Sequence, residues 1–295
     1  MSRLTDALAE TAEATTRLLD ELLAPLEGPV GRVVEAMRYG ALGGGKRLRP
    51  FLVVESAALF DVPAERALRS AAALEMVHCY SLIHDDLPAM DDSDLRRGRP
   101  TVHKAFDEAT AILAGDGLLT EAFAVLADQA SHRDPAIRVA LIAALAGAAG
   151  AAGMVGGQMI DLSPERANLD LEGITQLQRL KTGALIAFAC EAGAILGQAK
   201  PAERAALIDY ARELGLAFQI VDDLLDATGS AAELGKPAGQ DAALGKATFV
   251  GQLGIDGARR KAEETIKLAC SRLDLFAEKA DLLRETAVFV LERRS

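Results

Sequence analysis

Almost the whole chain carries a helical rhythm. Leu, Ala and Val recur at three- and four-residue spacing, and few segments alternate apolar and polar residues with a period of two. That rhythm leaves little room for strands and predicts an all-α fold. Composition then limits how the helices pack: half of the 295 residues are apolar, yet only 4% are aromatic and Trp is absent. The core must therefore be built from Ala, Leu, Ile and Val, which suit closely packed helices. Breaks at Glu27-Gly28-Pro29, Gly43-Gly44-Gly45, Asp61-Val62-Pro63, Arg97-Gly98-Arg99-Pro100, Asp134-Pro135, Ser163-Pro164 and Lys200-Pro201 divide the chain into about ten or more helices. With no low-complexity linker, like-charge block or fixed-period repeat, the reading is a single domain over residues 1–295. A stack of helices around a central cavity is one natural architecture for such a chain.

Several function classes are disfavoured at once. Cys79, Cys190 and Cys270 are far apart and form no CxxC pair, which argues against a disulfide framework or a zinc site and fits a reducing, cytoplasmic location. Met1 to Leu23 carries Asp6, Glu10 and Asp20 among its apolar positions, so it reads as an amphipathic helix and not as a signal peptide. Val139 to Ile160 lacks any charge over 22 residues, enough to cross a bilayer, but thirteen of those residues are Ala or Gly. Such a segment suits a soluble bundle in which glycines let backbones approach, and no membrane span is expected. A net charge of −11 disfavours a nucleic-acid surface. It does not exclude phosphate ligands, because divalent cations can sit between carboxylates and a polyanion.

Two acidic clusters follow that lead. His84-Asp85-Asp86-Leu87-Pro88-Ala89-Met90-Asp91-Asp92-Ser93-Asp94 closes an apolar helix, and taken alone it reads equally well as a solvated loop with a helix stop at Pro88. Arg96 and Arg97 fall where an EF-hand would need an oxygen ligand and Gly. The second cluster is more specific. At ~100° per residue, Gln219, Asp222, Asp223 and Asp226 share an arc of roughly 100°, with Ile220, Val221, Leu224 and Leu225 opposite. Carboxylates stacked on one face of a buried helix repel unless a cation lies between them. Hard oxygen donors without a His or Cys cage suit magnesium. The basic residues match: the glycine turn Gly43-Gly44-Gly45 leads into Lys46, Arg47 and Arg49, and Arg96-Arg97 follow the first acidic cluster. The glycine turn is not a P-loop, since it lacks the spaced second glycine and the Lys-Ser/Thr pair. Two carboxylate sets and two cation sets describe a site for two diphosphates.

In order, Gly44-Gly45-Lys46-Arg47-Leu48-Arg49-Pro50, His78 through Asp91, Asp94-Leu95-Arg96-Arg97-Gly98, Gly157-Gln158-Met159-Ile160-Asp161-Leu162, Lys181-Thr182-Gly183-Ala184, Phe218 through Asp226, Gly235-Lys236 and Gly245-Lys246 resemble a trans-isoprenyl diphosphate synthase across nearly the whole chain. The resemblance is nearest to bacterial farnesyl diphosphate synthases. It implies an all-α isoprenoid-synthase helical bundle around a central substrate cavity, a homodimer, and magnesium, usually three ions. Carried over by position, Asp85, Asp91 and Asp222 would bind metal bridging to the allylic diphosphate, with Asp86, Asp223 and Asp226 as ligands or supports. Lys46, Arg49, His78 and Arg97 match the family's isopentenyl diphosphate contacts. Arg96, Lys181, Thr182, Gln219, Lys236 and Lys246 match its allylic-substrate contacts. Met159, Leu180 and Ser93 depart from common family residues, and none is a metal position.

The implied reaction is metal-assisted loss of pyrophosphate from an allylic diphosphate and attack by the double bond of isopentenyl diphosphate, within a dry tunnel that keeps water from the cation. The expected product is farnesyl diphosphate, with geranylgeranyl diphosphate as the alternative. A terpene cyclase has no use for Lys46, Arg49 and His78, and a non-catalytic subunit has no use for intact second-cluster aspartates. Tyr80 is the expected stop for the growing tail: it lies ~7.5 Å along the helix from Asp85, while Ser81, on nearly the same face as Asp85, is too small to block it. The other reading of Tyr80, at ~140° from Asp85, is a packing role. His103 and His132 read as surface residues, and Met90 and Met154 as packing. Asp116, Gln158 and Asp161 read either as supports for a ligand set or as helix-terminal polar groups.

Overall fold

A computed structural model describes residues 3–229 and 247–293. Thirteen α-helices account for most of these residues, and the only strands among them are two of two residues each, Leu95–Arg96 and Arg99–Pro100. The all-α expectation holds. The small hairpin turns on Arg97 and Gly98, both at positive φ (53° and 74°), as a two-residue hairpin requires. All seven expected breaks fall at helix or hairpin boundaries.

The chain divides into two compact units, the first made of Met1–Ala143 with Ile195–Gly197, the second of Ala144–Ala194 with Gln198–Ser295. The first unit holds α1 (Arg3–Leu22), α2 (Gly31–Ala41), α3 (Leu48–Ala58), α4 (Ala64–Asp85), α5 (Val102–Ala105) and α6 (Glu108–Ala127). Its centre is α4, whose Ala71, Ala72 and Ala73 are fully buried beside Leu74 and Met76. Small side chains there let α3 and α6 approach and bury Phe51, Leu52, Leu118 and Leu126 completely. Each such large side chain contributes about 1.5–3 kcal/mol of burial. The approach is tightest at Gly115 of α6, where a Cβ would lie 2.1 Å from Nε2 of His84. Asp107 caps α6, accepting from the Thr110 N–H at 2.7 Å and from Arg32 at 2.7 Å. Arg32, and then the Thr110 bonds, hold its carboxyl down at about 2.

The uncharged stretch from 139 to 160 is divided. Helix α7 (Pro135–Ala149) stops before a turn, and α8 (Met154–Asp161) restarts after Gly153. By length and composition alone, Glu108–Ala127 and Pro135–Asp161 could each cross a membrane. The turn explains why the second is not one straight rod: a Cβ on Gly153 would sit 2.1 Å from the Ala148 carbonyl oxygen, so only glycine allows this backbone contact.

The second unit continues with α9 (Leu171–Gln178), a π-helical turn (Arg179–Gly183), α10 (Ala184–Leu196), α11 (Pro201–Thr228), α12 (Phe249–Arg272) and α13 (Asp281–Glu292). Pro201 opens α11 at the first helical position, where its missing N–H costs nothing. Ile220 and Val221 of α11 pack with Ile174, Leu216, Phe249, Ala258 and Ala262 in one cluster. Tyr210 is fully buried and donates its hydroxyl to the Leu283 carbonyl at 2.6 Å.

One expectation is corrected. His103 is buried, 7% exposed, with Nδ1 3.2 Å from the Thr101 hydroxyl. An isolated His in a polar segment gave no sign of this, because the hairpin and α5 fold it inward. Met154 is buried as expected. The three cysteines are free thiols.

Candidate active site

In the first unit, α4 and the loop before α3 bring the cations together. Gly44 and Gly45 take φ of 84° and 124°, and Arg47 follows in the left-handed region at 48°. Lys46 is exposed. Arg49 places Nη1 3.4 Å from Nε2 of His78, and since arginine can only donate, the His78 nitrogen accepts. Arg97, from the hairpin, donates to the Gly44 carbonyl. A Cβ on Gly45 would come within 2.6 Å of the Arg97 guanidinium, so glycine is what permits the contact. Burial, and then the charges of Arg49, Arg97, Arg96 and Arg47, push the His78 imidazole well below its usual range. It is neutral at pH 7 and sits among permanent cations.

The glycine turn does not deliver three cations outward, as its sequence suggests. Arg47 is turned in: it is 3% exposed and donates at 2.5 Å to both Oε1 of Glu75 and the Ala41 carbonyl. Glu75 is itself 2% exposed.

At the end of α4 the acidic segment folds back. The Asp91 N–H donates to the Asp85 carbonyl at 2.8 Å, and the Ser93 N–H donates to the Asp86 carbonyl at 3.2 Å. Two hard-oxygen side chains, Asp85 and Asp91, are thereby held on one closed turn. Asp86 is different. It is 2% exposed and receives Arg96 on both oxygens, at 2.7–2.9 Å, so this carboxylate is engaged by arginine. Burial raises its carboxyl above the ordinary range against the pull of Arg96. Tyr80 is buried and meets His84 edge-on at 5.7 Å, while the Ser81 hydroxyl donates to the His78 carbonyl at 2.8 Å.

In the second unit the helical arc on α11 is realised but not uniform. Asp222 is exposed; Asp223 and Asp226 are buried at 7% and 6% exposure. Oδ2 of Asp223 accepts from the Phe249 N–H at 2.7 Å and so anchors the start of α12. Oδ1 of Asp222 meets Arg293 at 2.5 Å, and the same guanidinium lies 3.7 Å above the Phe218 ring. Gln219 accepts from Thr182 at 3.1 Å.

Lys181 lies in the π-helical turn, a widened turn that often marks functional positions. Its ammonium is 2.5 Å from Oδ2 of Asp161, whose other oxygen accepts from Arg166 at 3.1 Å. Gly157, one turn earlier on α8, makes the approach possible: a Cβ there would lie 2.2 Å from the backbone nitrogen of Lys181. The Gly157-to-Asp161 motif is thus a seat for Lys181. The segment stood out in the sequence through its resemblance to a family motif, but the partner of Asp161 was not visible without the fold. The Asp222–Arg293 contact had no sequence signal. Lys236 and Lys246 lie outside the described residues.

Among the described residues, no three His, Cys, Asp or Glu side chains converge into a ready-made metal cage. The donor chemistry nevertheless fits magnesium, which takes one or two carboxylates and completes its shell with water and substrate phosphate oxygens. Asp85, Asp91 and the exposed Asp222 are such donors.

The sequence profile of the polyprenyl synthetase family matches residues 31–282, which run through both units. The chain is 45% identical to farnesyl diphosphate synthase of Escherichia coli over 97% of each chain. It is 44% identical to farnesyl diphosphate synthase of Geobacillus stearothermophilus over 86% of each. A crystal structure of an FPP/GFPP synthase from Zymomonas mobilis superposes with a TM-score of 0.89 at 49% identity, covering 98% of each chain. Together with the helical architecture, the Arg-rich loop and the two aspartate segments, these likenesses make the chain a member of the polyprenyl synthetase family.

Proposed function

We propose that this chain is a prenyltransferase that condenses isopentenyl diphosphate with dimethylallyl or geranyl diphosphate to give farnesyl diphosphate. The observation that carries the reading is that Arg49, at the start of α3, meets the neutral His78 of α4 while Arg97 of the hairpin meets the Gly44 carbonyl, which gathers Arg49 and Arg97 at the glycine turn that carries Lys46. A diphosphate held by those cations is the second substrate that distinguishes a synthase from a cyclase.

In this reading Arg49, Arg97 and the neutral His78 bind isopentenyl diphosphate, with Lys46 at the loop surface. Lys181, Thr182, Gln219 and Arg96 serve the allylic diphosphate, as do Lys236 and Lys246. Asp85, Asp91 and Asp222 are the assigned magnesium ligands, for three ions. Asp86, Asp223 and Asp226 are assigned as supports, since Asp86 already receives Arg96 and Asp223 already anchors α12. Magnesium, when bound, supplies positive charge at the leaving oxygens. Lys181 leaves Asp161 for the diphosphate and adds a cation where negative charge develops. The allylic C–O bond breaks, the isopentenyl double bond supplies the electron pair of the new C–C bond, and one proton passes to the released pyrophosphate. Tyr80 ends the tunnel for the growing tail, consistent with its burial on α4.

The two units act as one catalytic domain, supported by the unbroken family match from 31 to 282. The assembly is a cytoplasmic homodimer without a membrane span. The exposed Ile112 and Leu113 of α6 and Val139 of α7 are candidates for the apolar face of the dimer. Incubating the purified chain with isopentenyl and geranyl diphosphates and magnesium should give farnesyl diphosphate by chromatography. A cyclised product from geranyl diphosphate alone, or no turnover without a second subunit, would overturn the proposal.

A further inference from the structure

We propose that Glu75 is a positioning residue for isopentenyl diphosphate: through its buried pair with Arg47 it sets the course of the loop that carries Lys46 and of the first turn of α3, which carries Arg49. The inference rests on the assignment of Lys46, Arg49, His78 and Arg97 to that substrate.

Three observations carry it. First, the pair is an odd choice for stability. Its two side chains are 1% and 3% exposed, and well-packed apolar residues usually hold a core at least as well as a buried ion pair. Arg47 cannot touch substrate either, because its Nη atoms are occupied by Glu75 and the Ala41 carbonyl.

Second, Arg47 sits at a backbone position that resists it. Its φ of 48° and ψ of 37° lie in the left-handed region just before α3, a conformation disfavoured for a side chain of this size. Two glycines at positive φ precede it, so the loop has many accessible paths. The guanidinium, clamped at 2.5 Å on two sides, selects one of them.

Third, the clamp is indexed to the substrate residues. Glu75, His78 and Cys79 fall on one face of α4, three and four residues apart, and Cys79 Sγ also lies 3.9 Å from Arg47. Two rungs therefore join the end of the loop and the first turn of α3 to one helix face, Arg47 to Glu75 inside and Arg49 to His78 one turn further along. Loss of the inner rung frees the outer one. Glu75 also gives the buried Arg47 a partner of opposite charge one turn from the Arg49–His78 contact, so Arg47 adds no uncompensated charge beneath it.

The test measures both Michaelis constants, kcat and urea stability in Arg49→Ala, Glu75→Gln and the double variant Arg47→Met/Glu75→Leu. We expect Glu75→Gln to lose stability and to raise KM for isopentenyl diphosphate about tenfold, with kcat changed less and the allylic KM unmoved. The double variant should regain stability, as apolar replacements of buried pairs do, while KM for isopentenyl diphosphate stays raised. A double variant as stable as the natural chain with that KM within about twofold of normal would overturn the proposal. If the double variant does not fold, an unchanged KM in Glu75→Gln overturns it as well. An unchanged KM in Arg49→Ala would overturn the substrate assignment, and the proposal with it. A raised KM in Arg49→Ala with normal values in both Glu75 variants overturns the proposal alone.

Discussion

Asp85 and Asp91 are separated by five residues and are brought onto one turn by a backbone hydrogen bond of 2.8 Å. Asp222, Asp223 and Asp226 keep their spacing because they lie along one helix. The first cluster depends on a loop, the second on helical periodicity. The surrounding counterions differ accordingly. In the first unit, arginine takes both oxygens of the buried Asp86 and leaves the two outer aspartates to the turn. In the second, Asp223 is spent on the N–H of Phe249, and the exposed Asp222 meets Arg293. In both clusters one buried aspartate holds the protein together, Asp86 through Arg96 and Asp223 through the Phe249 N–H, beside more exposed aspartates such as Asp91 and Asp222. An acidic motif of this type thus carries its own scaffold beside the carboxylates it leaves at the surface.

The largest effects should come from the more exposed members. Asp85→Ala and Asp222→Ala should each reduce turnover on the order of 100- to 1,000-fold, with far-ultraviolet circular dichroism unchanged. Near-normal activity in either variant would break the assignment, as would normal turnover in excess chelator. Substituting Gly157 tests the seat of Lys181. Because the new Cβ would meet the Lys181 backbone at 2.2 Å, Gly157→Ala should cost about 1–3 kcal/mol in urea unfolding. It should also impair use of the allylic substrate more than of isopentenyl diphosphate.

Tyr80→Ala should lengthen the product toward twenty carbons or more. An unchanged product spectrum with activity retained would move the stop to another residue and leave Tyr80 with its edge contact to His84. The smallest expected effect is a pH dependence. The His78 pKa is pushed well below 6.5 in the folded chain, so between that value and about 6.5 the unfolded chain binds more protons. Stability should therefore rise with pH through this window and be lost as pH falls below about 6.5. His78→Gln, which cannot titrate, should flatten that part of the profile in urea midpoints measured at several pH values. A variant profile parallel to that of the natural chain would contradict the burial of a neutral imidazole.

Much of this was legible in the sequence. The three- and four-residue apolar rhythm gave the helices, and Gly and Pro gave their ends. The arc of Gln219, Asp222, Asp223 and Asp226 followed from periodicity alone. The unread parts are those that depend on contacts across the chain. Nothing local distinguishes Arg47, which turns inward, from Lys46, which is exposed. That choice depends on Glu75, 28 residues later. The burial of His103 depends on a hairpin too short to leave an alternating pattern in the sequence. The π-helical turn at Lys181 left no mark in composition, and Gly157, which packs against its backbone, belongs to another helix.

The most direct test of two separate diphosphate sites is a paired measurement of Michaelis constants for both substrates in Arg49→Ala and Lys181→Ala. The two-site account predicts a crossed result. Arg49→Ala raises KM for isopentenyl diphosphate about tenfold or more and leaves the allylic value nearly unchanged, and Lys181→Ala does the reverse. Equal effects of both variants on both substrates would contradict it.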